Sequence, residues 1–248
     1  MSADIKQRLA ADEVLIGAWV SVPSPLVVDA LGTCGFDWMA VDMEHGAVDA
    51  GQAETLFIAA ERRNMAPMAR LPSADPYLAR RLLDAGARGI LVPVVESAAA
   101  FENFAVHCLY PPHGKRGVGL SRANRWGDDF REYFQGFSPL LVPQIETVAG
   151  VEAAAGIAAL PMVDALFVGP YDLSASLGEA GNFESAAFLE AMETLKAACK
   201  EHGKALGGHQ VEPDKAKLES LIDDGFRFIA YGTDIIAMRH AFAGLKDR

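Results

Sequence analysis

The chain has 248 residues, 51% of them apolar and 22% charged, with a net charge of −11. That apolar share can bury a sizeable core. The acidic balance argues against nucleic acid or an anionic membrane as partner, because both call for clustered lysine and arginine, and these are scattered here.

From Met1 to Glu13 the sequence is charged and helical in character, without the apolar centre of a secretory signal. No apolar run approaches the roughly 18 residues of a membrane span. The expectation is a cytoplasmic protein acting on a small molecule. Cys34, Cys108 and Cys199 are far apart and form no C-x-x-C pair, which suits inert packing thiols in a reducing compartment.

After the N-terminal helix expected within 1–13, short apolar runs alternate with helical patterns. Strands are expected near 14–20, 37–43, 66–71, 89–93, 140–146, 164–168, 205–209 and 227–231. Helices are expected near 25–34, 52–64, 76–86, 97–108, 148–159, 185–202, 213–224 and 234–245. The alternation predicts βαβ units and an α/β protein with a parallel sheet. Eight such units match a single (β/α)8 TIM barrel over 1–248. An open doubly wound sheet competes, but no G-x-G-x-x-G follows the first strand and no P-loop occurs.

Gly35, Gly86, Gly89, Gly203 and Gly225 fall where helix C-caps are expected. Residues 109–139 form one long connection, of a length that points to a lid, a binding loop or an intersubunit arm. Pro143 removes a ladder donor inside the fifth strand, so a bulge is expected there.

Barrel chemistry sits at the carboxyl ends of the strands. Those ends carry Trp19 and Ser21, then Asp42, Glu44 and His45, then Arg70, Pro93, Gln144, Glu146, Asp172 and His209. Glu146 and Asp172 each close an apolar run, where an unpaired carboxylate is costly. Two of them suit a hard divalent cation such as Mg2+ or Mn2+, which completes its shell with water and substrate oxygens. Otherwise each caps a helix or pairs with arginine, and Asp172 before Leu173 and Ser174 could be an N-cap.

His45 can exchange protons near neutrality, with a nearby carboxylate to fix its tautomer. Asp42, Glu44 and His45 could also bind a metal themselves. Arg70 can clamp a carboxylate or an enolate oxygen, or pair with Asp42 or Glu44. No lysine ends a strand on this rim: Lys204 precedes its strand and Lys115 lies in the long connection. Schiff-base chemistry therefore lacks its lysine.

Five segments, in order, resemble the HpcH/HpaI aldolase family of class II, metal-dependent pyruvate aldolases. They are Asp42 to Gly46, Asp84 to Pro93, Tyr110 to Gly119, Gln144 to Thr147 and Gly169 to Ser174. The matches run from Gly17 to Gly178.

The resemblance implies reversible cleavage of 4-hydroxy-2-oxo acids to pyruvate and an aldehyde through a metal-stabilised pyruvate enolate. Glu146 and Asp172 would hold the divalent cation (Mg2+, Mn2+ or Co2+). Arg70 would contact the oxo or enolate oxygen, with Gln144 alongside. His45, near Asp42, would take part in proton transfer. Trp19 would line the pyruvate pocket, and backbone N–H groups from Gly169 to Asp172 would hold the carboxylate. Asp84 would reach the site from a neighbouring subunit of a homo-oligomer, a trimer or hexamer. Pro143 and Tyr171 depart from the family motif and leave the pocket shape open. The alternatives are an acyl-CoA lyase of the malyl- or citryl-CoA type, for which the rim shows no basic cluster beyond Lys115 and Arg116, and a non-catalytic barrel that binds 2-oxo acids.

Overall fold

A computed structural model describes residues 5–245 and arranges eight parallel strands as a closed barrel, paired in chain order with β8 returning to β1. The elements are α1 (Ile5–Ala10), β1 (Leu15–Val20), α2 (Pro25–Leu31), β2 (Trp38–Asp42), α3 (Ala50–Arg62), β3 (Ala66–Arg70), α4 (Pro76–Asp84), β4 (Gly89–Val92) and α5 (Ala98–Ala105). A 3-10 helix (Arg122–Gly127) and α6 (Phe130–Gly136) follow, then β5 (Leu140–Ile145), α7 (Val148–Glu152), α8 (Ala154–Ala158), β6 (Ala165–Val168) and α9 (Pro170–Ser176). The last are α10 (Ala186–His202), β7 (Ala205–Gln210), α11 (Lys215–Asp223), β8 (Phe226–Thr233) and α12 (Asp234–Ala241). Every expected strand is present. Of the N-terminal helix expected within 1–13, residues 1–4 lie outside the described residues.

Local chemistry starts and stops the helices. Asp49 accepts the Gln52 backbone N–H while the Gln52 side chain returns to the Asp49 N–H, a reciprocal cap on α3. Asp75 caps α4 ahead of Pro76, whose fixed φ suits the first helical turn. Gly203 ends α10 in the left-handed region at φ +61, which costs glycine nothing. Gly35, Gly86 and Gly225 also have positive φ, whereas Gly89 does not end a helix; it is the first residue of β4. There it packs against Leu140 of β5, where a Cβ would crowd the Leu140 Cβ at 2.9 Å.

Three further expectations change. Pro143 makes no bulge: it pairs in register with Val92, and the β6 pairing of β5 begins only at Gln144, so the missing donor disrupts neither register. The 148–159 helix divides into α7 and α8 at Ala153. The 109–139 connection is structured, because Arg116 anchors it. That guanidinium is 0% exposed, pairs with Asp84 at 2.7 Å and lies against the rings of Tyr110, Tyr133 and Phe137.

Two layers of core result. One lies between strands and helices; the other fills the barrel interior with Leu15, Trp19, Trp38, Met68, Phe167 and Phe228, closed at one end by Ile5 and Leu9 of α1. Lys204, at the amino end of β7, donates to the carbonyls of Leu160 and Val163, away from the strand carboxyl ends. Cys108 and Cys199 are buried, with thiols pushed up to about 12 by burial. Cys34 is exposed and so is not a packing residue. No helix among the described residues is long and apolar enough to cross a membrane.

Glycine makes room for aromatic rings inside the barrel. Trp38, fully buried, stacks on Phe228 at 4.2 Å and lies directly over Gly17 on the adjacent strand. A Cβ on Gly17 would fall inside the indole. Gly17→Ala should therefore lose roughly 2 kcal/mol or more of stability, read as a lower urea midpoint with unchanged slope. An unchanged midpoint would show that Trp38 can move aside.

Candidate active site

The parallel register of β2 on β3 sets Asp42 beside Arg70. Both are nearly inaccessible, at 4% and 8% exposed. The guanidinium grips the carboxylate at two points, Nε to Oδ1 at 3.0 Å and Nη2 to Oδ2 at 2.7 Å. Trp19 supports the pair from β1: its Nε1 donates to Asp42 Oδ2 at 3.2 Å, and its ring lies 4.9 Å from the guanidinium carbon. Arg70 Nη1 is also 2.8 Å from Glu44 Oε2, an ion pair without hydrogen-bond alignment. Burial alone would raise the Asp42 carboxyl; the hydrogen bonds and charge of Arg70 outweigh it and hold the group below the usual carboxylate range.

Asp42 relates to His45 differently from the expectation. Its Oδ1 accepts the backbone N–H of Glu44 at 3.1 Å and of His45 at 3.2 Å. The carboxylate thus fixes the backbone that carries His45, while its side-chain bonds go to Arg70 and Trp19. His45 itself is exposed at the barrel mouth.

Glu146 follows β5 and is 4% exposed. Its Oε1 accepts the Val94 backbone N–H at 2.7 Å, and its Oε2 accepts Gln144 Nε2. Val94 has φ +51, a strained conformation for a β-branched residue, and that turn aims its N–H at the carboxylate. Gly169 borders the other oxygen: a Cβ there would overlap Glu146 Oε2 and crowd Gln144 Nε2 at 3.0 Å. Burial first, and then the charges of Glu44 and Asp172, push the Glu146 carboxyl above its ordinary value. Glu44 is raised as well, mainly by burial, against the pull of Arg70.

Asp172 is not the counterpart of Glu146 that the sequence suggested. It is exposed, in the first turn of α9, because Pro170 starts that helix directly after β6. The N-cap is Gly169, so Asp172 is no N-cap either. Glu146 and Asp172 nevertheless converge closely enough that each charge bears on the same site. No group of three or more His, Cys, Asp or Glu is arranged to hold a metal among the described residues.

A cavity of about 330 Å3 opens at the strand carboxyl ends. Trp19, Asp42 and Arg70 line it from β1 to β3 with His45 from the turn after β2, and Gln144 from β5 with Gly169, Tyr171 and Asp172 from the start of α9. Asp84 lies elsewhere, at the end of α4 in its pair with Arg116. Pro93 does not line the cavity. His209 does, with its ring 4.6 Å from that of Trp19 and its Nε2 3.3 Å from Thr233 Oγ1. Burial and the Arg70 charge push His209 down to about 4, so its imidazole is neutral at pH 7. Thr233 escaped the sequence reading because β8 extends past the expected end at 231. No sequence signal marks the Val94 N–H.

If Asp42 holds Arg70 in place, Asp42→Asn should cost about 2 kcal/mol in urea denaturation at pH 7. A carboxyl held low stabilises the fold above its unfolded value, so the gap between wild type and variant should be full above about pH 4 and shrink at lower pH. A gap that widens on acidification would contradict the assignment.

Residues 15–241 match the profile of the HpcH/HpaI aldolase/citrate lyase family. A 5-keto-4-deoxy-D-glucarate aldolase from Klebsiella pneumoniae subsp. pneumoniae is 36% identical over 246 residues, covering 98% of this chain and 94% of the relative. The crystal structure of an HpcH/HpaI aldolase/citrate lyase family protein from Burkholderia cenocepacia superposes with a TM-score of 0.90 at 34% identity, over 98% of both chains. That of an HpcH/HpaI aldolase from Desulfitobacterium hafniense gives 0.90 at 30% identity, over 98% of this chain and 95% of the other.

Proposed function

The chain belongs to the HpcH/HpaI aldolase/citrate lyase family and is a carbon–carbon lyase, and from that premise we propose that it cleaves 4-hydroxy-2-oxo acids reversibly to pyruvate and an aldehyde. One observation carries the reading: a buried arginine, locked by Asp42 and Trp19, lines the same cavity as Gln144 and Asp172, and the buried Glu146 accepts a hydrogen bond from that Gln144. Retro-aldol cleavage needs a fixed positive charge where negative charge develops on the 2-oxo oxygen, and Arg70 supplies one that need not reorganise during the reaction.

The donor set fits a divalent cation, Mg2+, Mn2+ or Co2+. Glu146 is a buried carboxylate with no cationic partner among its hydrogen bonds, raised by burial first and then by its neighbours' charges, and the buried Gln144 Oε1 has no hydrogen-bond partner among the described residues. Glu146 and Asp172 would hold the cation as hard oxygen donors. When bound, a cation supplies Lewis-acid stabilisation of the developing charge.

The protein's own groups do the rest. Within Gly169 to Asp172, Pro170 has no N–H and that of Gly169 is bound to the Ile145 carbonyl, so the backbone N–H groups of Tyr171 and Asp172 in the first turn of α9 receive the substrate carboxylate. Trp19 walls the side of the pyruvate unit. The Arg70 N–H groups not directed at Asp42 contact the 2-oxo oxygen. His45 takes the proton of the 4-hydroxyl as the C3–C4 bond breaks; the electron pair passes into the C2–C3 enolate, and protonation at C3 then gives pyruvate. Asp84 does not line the barrel-mouth cavity that His45 lines, so its part in the site requires a second copy of the chain in a homo-oligomer. Residues 1–248 act as one catalytic domain.

Incubation with pyruvate, Mg2+ or Mn2+ and a panel of aldehydes should yield aldol adducts, and EDTA should abolish them. Glu146→Gln and Asp172→Asn should each lose at least about 100-fold in kcat/KM together with cation affinity. His45→Ala should lose about 100-fold or more in kcat with cation affinity kept. Borohydride trapping of a pyruvate adduct on the protein would contradict the scheme.

The raised carboxyls add a pH test. A carboxyl held high in the fold destabilises it as pH rises through its ordinary value toward the raised one. Mn2+ should therefore raise Tm more at pH 7.5 than at pH 5, and this difference should vanish in Glu146→Gln.

A further inference from the structure

The indole that supports the arginine pair needs support of its own. Trp19 donates its Nε1 hydrogen to Asp42, and its ring lies 4.9 Å from the Arg70 guanidinium carbon and 5.9 Å from the Phe167 ring. Its remaining ring neighbour is His209 of β7, with centroids 4.6 Å apart and planes tilted by 30°. His209 lines the cavity, yet the retro-aldol steps give it no part.

Strand β8 supplies this histidine with a partner. Gly17 of β1 stands opposite Ala230 and Trp19 stands opposite Thr233, so two steps along β1 match three along β8. The extra residue makes a bulge, and Gly232 within it has φ +76, which glycine adopts without strain. Side chains alternate between faces along a strand: Phe228 and Ala230 belong to the barrel interior, whereas Ile229 joins the outer core. Continued regularly, that alternation would turn Thr233 outward, but the bulge brings it to the cavity wall. There the buried Thr233 places Oγ1 3.3 Å from His209 Nε2, and its backbone N–H donates to the Val211 carbonyl at 3.1 Å. Burial first, and then the Arg70 charge, outweigh the Asp42 charge and the Gly232 backbone and keep the imidazole neutral. It therefore stands near the guanidinium without repelling it.

We propose that His209 is a positioning residue: fixed by Thr233 at the β8 bulge, its ring holds the Trp19 indole in the orientation that donates to Asp42 and so keeps Arg70 in place. The consequence for turnover rests on the aldolase reading, whereas the placement of the indole is read without any reaction. A hydrocarbon side chain would fill the same space but has no hydrogen-bonding edge to fix it against β8.

The test uses the intact protein with nitrogen-15 in its tryptophans. The chain has three, and Trp19→Phe identifies the indole N–H signal of Trp19. In His209→Leu, and in Thr233→Val, which keeps the shape and removes the hydroxyl, that signal should move and its exchange with water should quicken by about tenfold or more. Thr233→Ser should keep the wild-type signal. The signal of Trp38, whose Nε1 donates to the Leu15 carbonyl, should stay in place in every variant and so controls for the fold. Exchange of the pyruvate methyl protons in D2O with Mg2+ should slow about tenfold in His209→Leu and about threefold in Thr233→Val. Added to Trp19→Phe, His209→Leu should slow it by less than about twofold more, because both act through one indole. An unmoved Trp19 signal in His209→Leu would overturn the proposal, as would losses that multiply in full in the double variant. Absence of methyl exchange in the wild type would overturn the aldolase reading instead, and the indole signals would still decide the role of His209.

Discussion

A buried arginine has to be neutralised where it sits, and that constraint organises the mouth of this barrel. Arg70 is 8% exposed, and the strand register delivers Asp42 to it as the neighbouring ladder residue. The pairing closes two N–H to oxygen bonds and takes up the indole N–H of Trp19. Through its other contacts Asp42 ties down the backbone of Glu44 and His45. One carboxylate thereby sets the position of the guanidinium, the aromatic wall and the turn that carries the histidine. Preorganisation of this kind lets a charge act on a developing oxyanion without rearranging.

Charge balance gives the site its second property. Arg70 is committed to Asp42 and Glu44, which leaves Glu146 buried with only neutral donors, Val94 N–H and Gln144 Nε2. Burial and the like charges nearby make its ionised form costly in the isolated chain. The same feature makes it a strong oxygen donor for a hard cation. Backbone geometry serves this arrangement at two points: Val94 adopts a conformation that its β-branched side chain disfavours, and Gly169 leaves the space that Glu146 Oε2 occupies.

The barrel was legible because its signals are local. Apolar runs ending at Trp19, Asp42, Arg70 and Gln144 are read directly as strands, and their carboxyl ends name the rim. Asp172 shows where that logic fails. Counting apolar residues through Gly169-Pro170-Tyr171 suggested a strand end, yet Pro170 favours a first helical turn and moves Asp172 onto α9. Arg116 is a second case: the folding of 109–139 depends on the ion pair of this buried guanidinium with the half-exposed Asp84, distant in sequence and without periodicity. The Asp42 contacts are a third, since a carboxylate three residues from a histidine does not reveal whether it meets the ring or the backbone.

The account turns on Arg70 stabilising negative charge on a pyruvate oxygen beside the Glu146 and Asp172 carboxylates, and exchange of the pyruvate methyl protons in D2O reads that event without any aldehyde. Followed by proton NMR with Mg2+ or Mn2+ present, the wild type should exchange these protons well above the background rate. Arg70→Lys, which keeps the charge but loses the two-point grip, should slow the exchange by about 100-fold or more. Exchange that persists unchanged in Arg70→Lys, or in the presence of EDTA, would contradict the account.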